Sequence, residues 1–184
     1  MNLNFMTQKK DLVRRAELKD APHIVSLVNA AYRGESSKVG WTTEADILGG
    51  QRTDLEQIEE LIRKKNSVIL LVLSSDEKKY LACVHLEKVN AETAYLGMLT
   101  VDPTLQAKGM GRTLLNTAEI FARESWRSRE IEMTVISLRV ELITWYQRRG
   151  YELSAETKAF PLNDPRFGLP KRRDLEFVIL KKSL

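Results

Sequence analysis

Apolar and polar positions recur with two different periods along this chain, and the places where the period changes divide it into elements. Leu12 to Ala16 reads as a short strand. Asp20 and Pro22 then supply a helix start ahead of Ile24, Leu27, Val28 and Ala31, which fall at helical spacing. From Arg33 to Thr53 the pattern breaks, because Gly34, Gly40, Gly49 and Gly50 interrupt it and polar residues surround Trp41. Such a stretch predicts a loop or a broken helix. Asp54 is placed to cap a second helix with Leu55, Ile58, Leu61 and Ile62 on one face. Three strands follow, Val68 to Leu73, Tyr80 to Lys88 and Ala94 to Val101, and the polar turns SSDEKK and NAET between them predict an antiparallel meander. After Pro103 the spacing is helical again, with Leu114, Leu115, Ala118, Phe121 and Ala122 forming a stripe that runs to about Glu124. Ile131 to Ile136 is a further strand and Arg139 to Arg149 a helix stopped by Gly150. Tyr151 to Ala155 and Leu175 to Leu180 are two closing strands. The order βααβββαβαββ predicts an α/β (α+β) fold, a mixed and mostly antiparallel sheet of about seven strands flanked by about four helices.

Size and composition narrow this to one unit. The chain has 184 residues, 43% of them hydrophobic and 29% charged, which suits a single domain over residues 12–184 with a short extension at 1–11. The first ten residues, MNLNFMTQKK, lack the apolar block of a secretory signal, and no run approaches membrane-spanning length. Cys83 is the single cysteine and sits in the apolar stretch Leu81 to Leu86, so no intrachain disulfide forms and a cytoplasmic location is expected. The net charge of +4 comes from dispersed lysines and arginines, which argues against a nucleic-acid stripe but suits a polyanionic ligand. Short basic runs at Arg63 to Lys65 and Lys171 to Arg173 read as solvated ends of elements.

The chemistry concentrates where the third meander strand meets a helix. Leu99, Thr100, Val101, Asp102 and Pro103 are followed by Gln106, Ala107, Lys108, Gly109, Met110, Gly111 and Arg112. Two glycines let the backbone approach a ligand closely, and the helix that follows offers unpaired N–H groups and a positive dipole end to an anion. Lys108 and Arg112 add positive charge, and Thr113 adds a hydroxyl. The phosphate-loop pattern of nucleotide hydrolases does not fit, because its lysine follows the last glycine whereas Lys108 precedes Gly109. The dinucleotide fingerprint does not fit either, since its third glycine would fall at Leu114. A glycine turn that binds nothing is the remaining alternative.

Strand, Gln106-x-x-Gly109-x-Gly111 and apolar helix together resemble the coenzyme A motif of the GNAT acetyltransferase superfamily. Trp145-Tyr146-Gln147-Arg148-Arg149-Gly150-Tyr151 is similar to that family's late helix and its turn into the next strand. The element order matches over about residues 12 to 180. The resemblance implies an enzyme that moves an acetyl group from acetyl-coenzyme A to the amine of a small molecule or peptide, with no metal. It implies that pyrophosphate lies against Gln106 to Arg112 and pantetheine along Met98 to Val101, where the strand parts from its neighbour. Gly97 is expected to ease that distortion. Tyr146 matches the family's general acid, the alternative being a core tyrosine beside Leu142 and Trp145. No carboxylate in Tyr95-Leu96-Gly97-Met98 matches the base of some relatives, which leaves Glu92, Glu44, Asp46 and His85, or a water relay. Arg139 stands where many relatives carry asparagine; coenzyme A phosphate or the ends of adjoining elements are its two expected partners. A non-catalytic acyl-coenzyme A sensor is the alternative function.

The region between the first two helices lines the acceptor site in proteins of this kind, and here it holds Trp41, Thr42, Glu44 and Arg52. The Trp-Thr-Thr-Glu segment also marks a subgroup of the superfamily. An apolar wall with polar handles suits a small-molecule pocket. Arg33 or Arg52 would hold a carboxylate and Glu44 or Asp46 an ammonium. Residues 160–168 form a long last loop expected to close over the acceptor or to serve as a surface or homodimer contact.

Overall fold

The computed structural model describes residues 12–184, so the expected extension at 1–11 lies outside the described residues. Along the chain the elements are β1 (Leu12–Arg15), α1 (Ala21–Tyr32), α2 (Gly34–Ser37), β2 (Leu48–Gly49), α3 (Leu55–Arg63), β3 (Ser67–Leu73), β4 (Tyr80–Lys88), β5 (Thr93–Val101), α4 (Met110–Trp126), β6 (Glu130–Ile136), α5 (Val140–Gln147), β7 (Glu152–Ala159), β8 (Leu169–Pro170) and β9 (Glu176–Ser183). Seven strands form one sheet in the order β1-β3-β4-β5-β6-β9-β7. Only the β5 and β6 pair is parallel; the last strand inserts between β6 and β7 and runs antiparallel to both.

Both faces of the sheet are covered, which explains why β3 reads as an unbroken apolar run rather than an alternation. Leu70, Val72, Val84 and Leu86 face one core with Leu114, Leu115, Ala118 and Phe121 of α4. Ile69, Leu71 and Cys83 face a second core with Ile24, Leu27 and Val28 of α1 and Ile58 of α3. The period-two alternation of each strand assigns successive residues to opposite cores.

The two helix starts differ. Asp54 caps α3 as its position predicts, accepting a hydrogen bond from the Gln57 amide at 2.8 Å. Asp20 does not cap α1. Its buried carboxylate instead accepts two bonds from Arg14, at 2.7 and 2.8 Å, and one from the Tyr80 hydroxyl at 2.6 Å. A carboxylate drawn into the interior needs charge-assisted partners, and the guanidinium supplies them better than a helix amide.

The break at 33–53 holds α2, a fifth helix that its four residues and surrounding glycines hide from periodicity, and β2. The antiparallel β2 and β8 pair joins this segment to the long last loop, with Leu48 opposite Pro170 and Gly49 opposite Leu169. Gly168 has φ +98°, and a Cβ there would stand 2.9 Å from the Gly49 carbonyl, so the crossing requires glycine. Lys171 completes the strap by donating from Nζ to the Ala45 carbonyl at 2.5 Å.

Candidate active site

Two cavities open where β5 leaves β6. Their backbone pairing covers only Thr93 to Tyr95 against Glu130 to Glu132. Beyond it the Tyr95 hydroxyl reaches across to Thr134 Oγ1 at 3.0 Å, the last tie before the strands diverge. On the other edge of β5 the register with β4 jumps between Cys83 and His85, and the extra residue is taken up at Met98, whose φ is +53°. This corrects the expectation for Gly97. Gly97 has a different use: a Cβ there would meet the Tyr95 ring at 2.9 Å, so glycine lets that ring lie over the strand.

The first cavity is a cleft of about 330 Å³ bounded by the glycine turn, β5 and α5. Leu99, Val101, Gln106, Ala107, Gly109, Gly111 and Arg112 line it. Ala107 and Gly109 both have left-handed backbones, with φ of +63° and +87°, and α4 begins directly after them. Such a turn aims successive N–H groups at one point. The Gln106 side chain does not face a ligand. Its Oε1 accepts from the Trp41 amide at 2.9 Å, and its Nε2 donates to Thr42 Oγ1 at 2.9 Å and the Val101 carbonyl at 3.1 Å. A Cβ on Gly40 would stand 2.5 Å from Gln106 Oε1, so glycine admits this latch. Trp41 thereby reaches Trp145, their rings 6.0 Å apart, and the Arg149 guanidinium lies 3.5 Å over the Trp145 ring. Arg149 Nε is buried without a hydrogen-bond partner.

The second cavity, about 140 Å³, fills the gap between the diverging strands. Leu48, Leu96, Val135, Phe160, Phe167 and Phe177 give it apolar walls, and Arg33, Glu44 and Arg52 give it charge. Glu44 Oε2 accepts a hydrogen bond from Arg33, and Glu44 Oε1 lies 3.5 Å from Arg139 Nη1. Arg52 lies over the Tyr32 ring at 5.7 Å.

Tyr32, Leu99, Leu142 and Tyr146 line both cavities. Tyr32 donates to the Leu99 carbonyl at 2.7 Å, which fixes the β5 backbone at the junction, and burial pushes its phenol up to about 12. Tyr146 sits on α5, four residues before Gly150, whose φ of +86° ends the helical segment. Its hydroxyl makes no hydrogen bond to any described residue, and burial raises its pKa well above the ordinary tyrosine value.

The sequence model described as the Acetyltransferase (GNAT) family matches residues 24–151, well over half of the chain. The chain belongs to the GNAT family. Solved structures agree on the fold. A mutant spermidine N-acetyltransferase from Vibrio cholerae is similar with a TM-score of 0.68 at 16% identity, over 96% of this chain and 95% of that one. A ribosomal-protein-alanine N-acetyltransferase from Brucella melitensis is similar with a TM-score of 0.67 at 20% identity, over 94% and 99%. An N-acetyltransferase from Staphylococcus aureus Mu50 is similar with a TM-score of 0.69 at 12% identity, over 94% and 97%. This GNAT protein is an acetyl-coenzyme A-dependent enzyme that acetylates an amine. Among the described residues no group of three or more His, Cys, Asp or Glu is positioned to hold a metal ion, and no helix is long and apolar enough to cross a membrane.

Within the GNAT frame the predicted site residues divide unevenly. Thr100 turns away from the cleft: it is buried, and its Oγ1 bonds the Met98 carbonyl at 3.0 Å. Lys108 is exposed, and Met110 packs against the core of α4. Neither lines the cleft. Arg139 faces Glu44 rather than the glycine turn, because α5 begins beside the second cavity. Trp41 and Thr42, grouped by sequence with the acceptor, stand instead on the first cleft, drawn there by Gln106. Glu44 and Arg52 do line the second. His85 is a buried core histidine, its Nε2 3.0 Å from Ser67 Oγ; Glu92 and Asp46 are exposed. Three further residues line the cavities without having been marked as site residues: Tyr32, Leu142 and Arg149. A tyrosine closing the apolar stripe of α1 just before a glycine break is the one signal that marks Tyr32.

Proposed function

We propose that the first cleft holds acetyl-coenzyme A, that the second cavity holds the acceptor amine, and that Tyr146 is the proton donor between them. The observation that carries this is Tyr146 itself, a phenol on the wall shared by both cavities whose hydroxyl bonds no described residue. The first cleft suits a pyrophosphate: Gly109 has open space where a Cβ would stand, the N-terminus of α4 faces the turn, and Arg112 and Arg149 supply charge. Gln106, by contrast, contributes only its backbone to that binding.

Acetyl-coenzyme A supplies an acyl carbon that the amine nitrogen attacks while the carbon–sulfur bond breaks. The sulfur must then gain a proton, and the attacking nitrogen must shed one to become an amide; Tyr146 gives the first and is restored by the second, returned through solvent. Tyr146 Oη keeps its proton at neutral pH because burial disfavours phenolate, and it is therefore loaded when that demand arises. Tyr32 holds the Leu99 carbonyl and so fixes the strand against which the cofactor lies. The amine must also be neutral. Glu44 has both oxygens against arginines, and His85, Glu92 and Asp46 line neither cavity, so we assign no dedicated base and let the amine release its proton to water. We also infer that residues 12–184 act as one domain in a reducing, cytoplasmic setting, in keeping with the single buried thiol.

Thermal shift with acetyl-coenzyme A, coenzyme A and NAD tests the cleft. Both coenzyme A forms should stabilise the protein, NAD should not, and Gly111→Asp should abolish the effect by placing a carboxylate against the phosphates. Tyr146→Phe should keep the stabilisation yet lower kcat by about a hundredfold or more. Full activity in that variant would remove Tyr146 from the chemistry.

A further inference from the structure

The second cavity carries an unbalanced charge. Arg33 and Arg52 line it with one carboxylate, Glu44, which pairs with Arg33 and with Arg139 just behind the wall, so three guanidiniums stand at or beside a half-apolar space that holds a single negative charge. Glu44 is the only acidic residue among those lining the cavity. Arg52 has no carboxylate within ion-pair distance among the described residues, and the Tyr32 ring holds it at the wall. The Arg33 side chain is only 5% exposed, yet its Nε has no hydrogen-bond partner; Arg139 Nη1 likewise has none. Buried guanidinium donors left without acceptors are costly, and an anionic ligand relieves that cost.

We propose that the acceptor is an amine that also carries a carboxylate and an apolar body, an apolar amino acid in chemical class, with its carboxylate on Arg52 and the unpartnered donors of the Arg33 and Arg139 cluster. This rests on the second cavity being the acceptor side. Guanidinium and carboxylate match as two parallel donors and acceptors, which orients the molecule as well as binding it. The apolar walls at Leu48, Val135, Phe160, Phe167 and Phe177 receive the side chain, leaving the amine to point at the junction with Tyr146. A polyamine meets the opposite situation. Its charges face a positive surplus, and each oxygen of Glu44 already has an arginine beside it.

The experiment compares matched pairs: methionine against 3-methylthiopropylamine and phenylalanine against phenethylamine, with spermidine as a polycation. Acetylation is followed by product mass, and binding of each probe to the coenzyme A complex by calorimetry. The carboxylated member of each pair should bind and be acetylated with a kcat/KM higher by a hundredfold or more, because a site built to bond a polar group rejects the analogue lacking it. Arg52→Met should cut that preference at least tenfold, Arg52→Lys should restore part of it, and both should keep the stabilisation by coenzyme A that reports an intact fold and cleft. Preference for the decarboxylated amines or for spermidine overturns the proposal while leaving acetyl transfer through Tyr146 in place. Failure of every carboxylated probe both to bind and to react also overturns it. Loss of coenzyme A stabilisation in the wild type would instead strike at the assignment of the first cleft.

Discussion

His85 lies on β4 opposite Ile69 of β3, where burial pushes its imidazole down to about 4 from an ordinary value of 6.5. The folded chain therefore favours the neutral ring. Its contribution to stability is complete above about pH 6.5 and is lost as the pH falls through about 4, because the unfolded chain takes up the proton first. Over that window the loss should reach about 3 kcal/mol, and His85→Gln should flatten this part of the profile, as read by urea midpoints between pH 7 and 4. At the same scale the position of Tyr146 on the late helix was legible from the sequence, since its spacing to Gly150 is local. Arg139 was not. Its partner Glu44 is distant along the chain, and no pattern within either segment reveals that the two side chains meet. Trp41 stands on the first cleft rather than beside Glu44 and Arg52, and no local pattern shows this, because the residue that draws it across, Gln106, belongs to another element.

Elements were legible wherever their hydrogen bonds are local. The helices and the meander follow the predicted bounds closely; Asp54 starts α3 as read, while α5 ends at Gln147 and a turn carries the chain on to Gly150. What stayed hidden depends on pairing between segments: the β2 and β8 strap joins two stretches that each read as loop, and the β5 bulge falls at Met98 because the partner strand sets the register. Gln106 is the element-scale joint between the glycine turn and the segment that runs on to Glu44, so one side chain ties the first cleft to the segment that reaches the second cavity. Gln106→Ala removes three hydrogen bonds, each with a net worth of about 1 kcal/mol. The KM for acetyl-coenzyme A should rise by about tenfold or more, with the acceptor KM rising alongside it, in steady-state kinetics with both substrates varied. A change confined to the cofactor would show that the joint transmits nothing.

For the molecule as a whole, the two cores share β3 and β4, so the helical layers are joined through common strands. Leu71→Ala opens one core and Leu115→Ala the other, and each should cost about 2–5 kcal/mol. Both should lower a single transition, with far-ultraviolet dichroism and tryptophan fluorescence coinciding; separate transitions would show that the layers unfold apart. The layer architecture followed from the pattern of elements, whereas the insertion of β9 between β6 and β7 did not, since sheet order is decided by contacts between distant segments. Cys83 sits under this shared sheet, fully buried, with burial raising its thiol to about 12. A disulfide dye added to a reaction therefore finds no competing thiolate on the folded enzyme, so its colour counts product thiol alone, and the same dye attacks the protein only when the sheet itself comes apart.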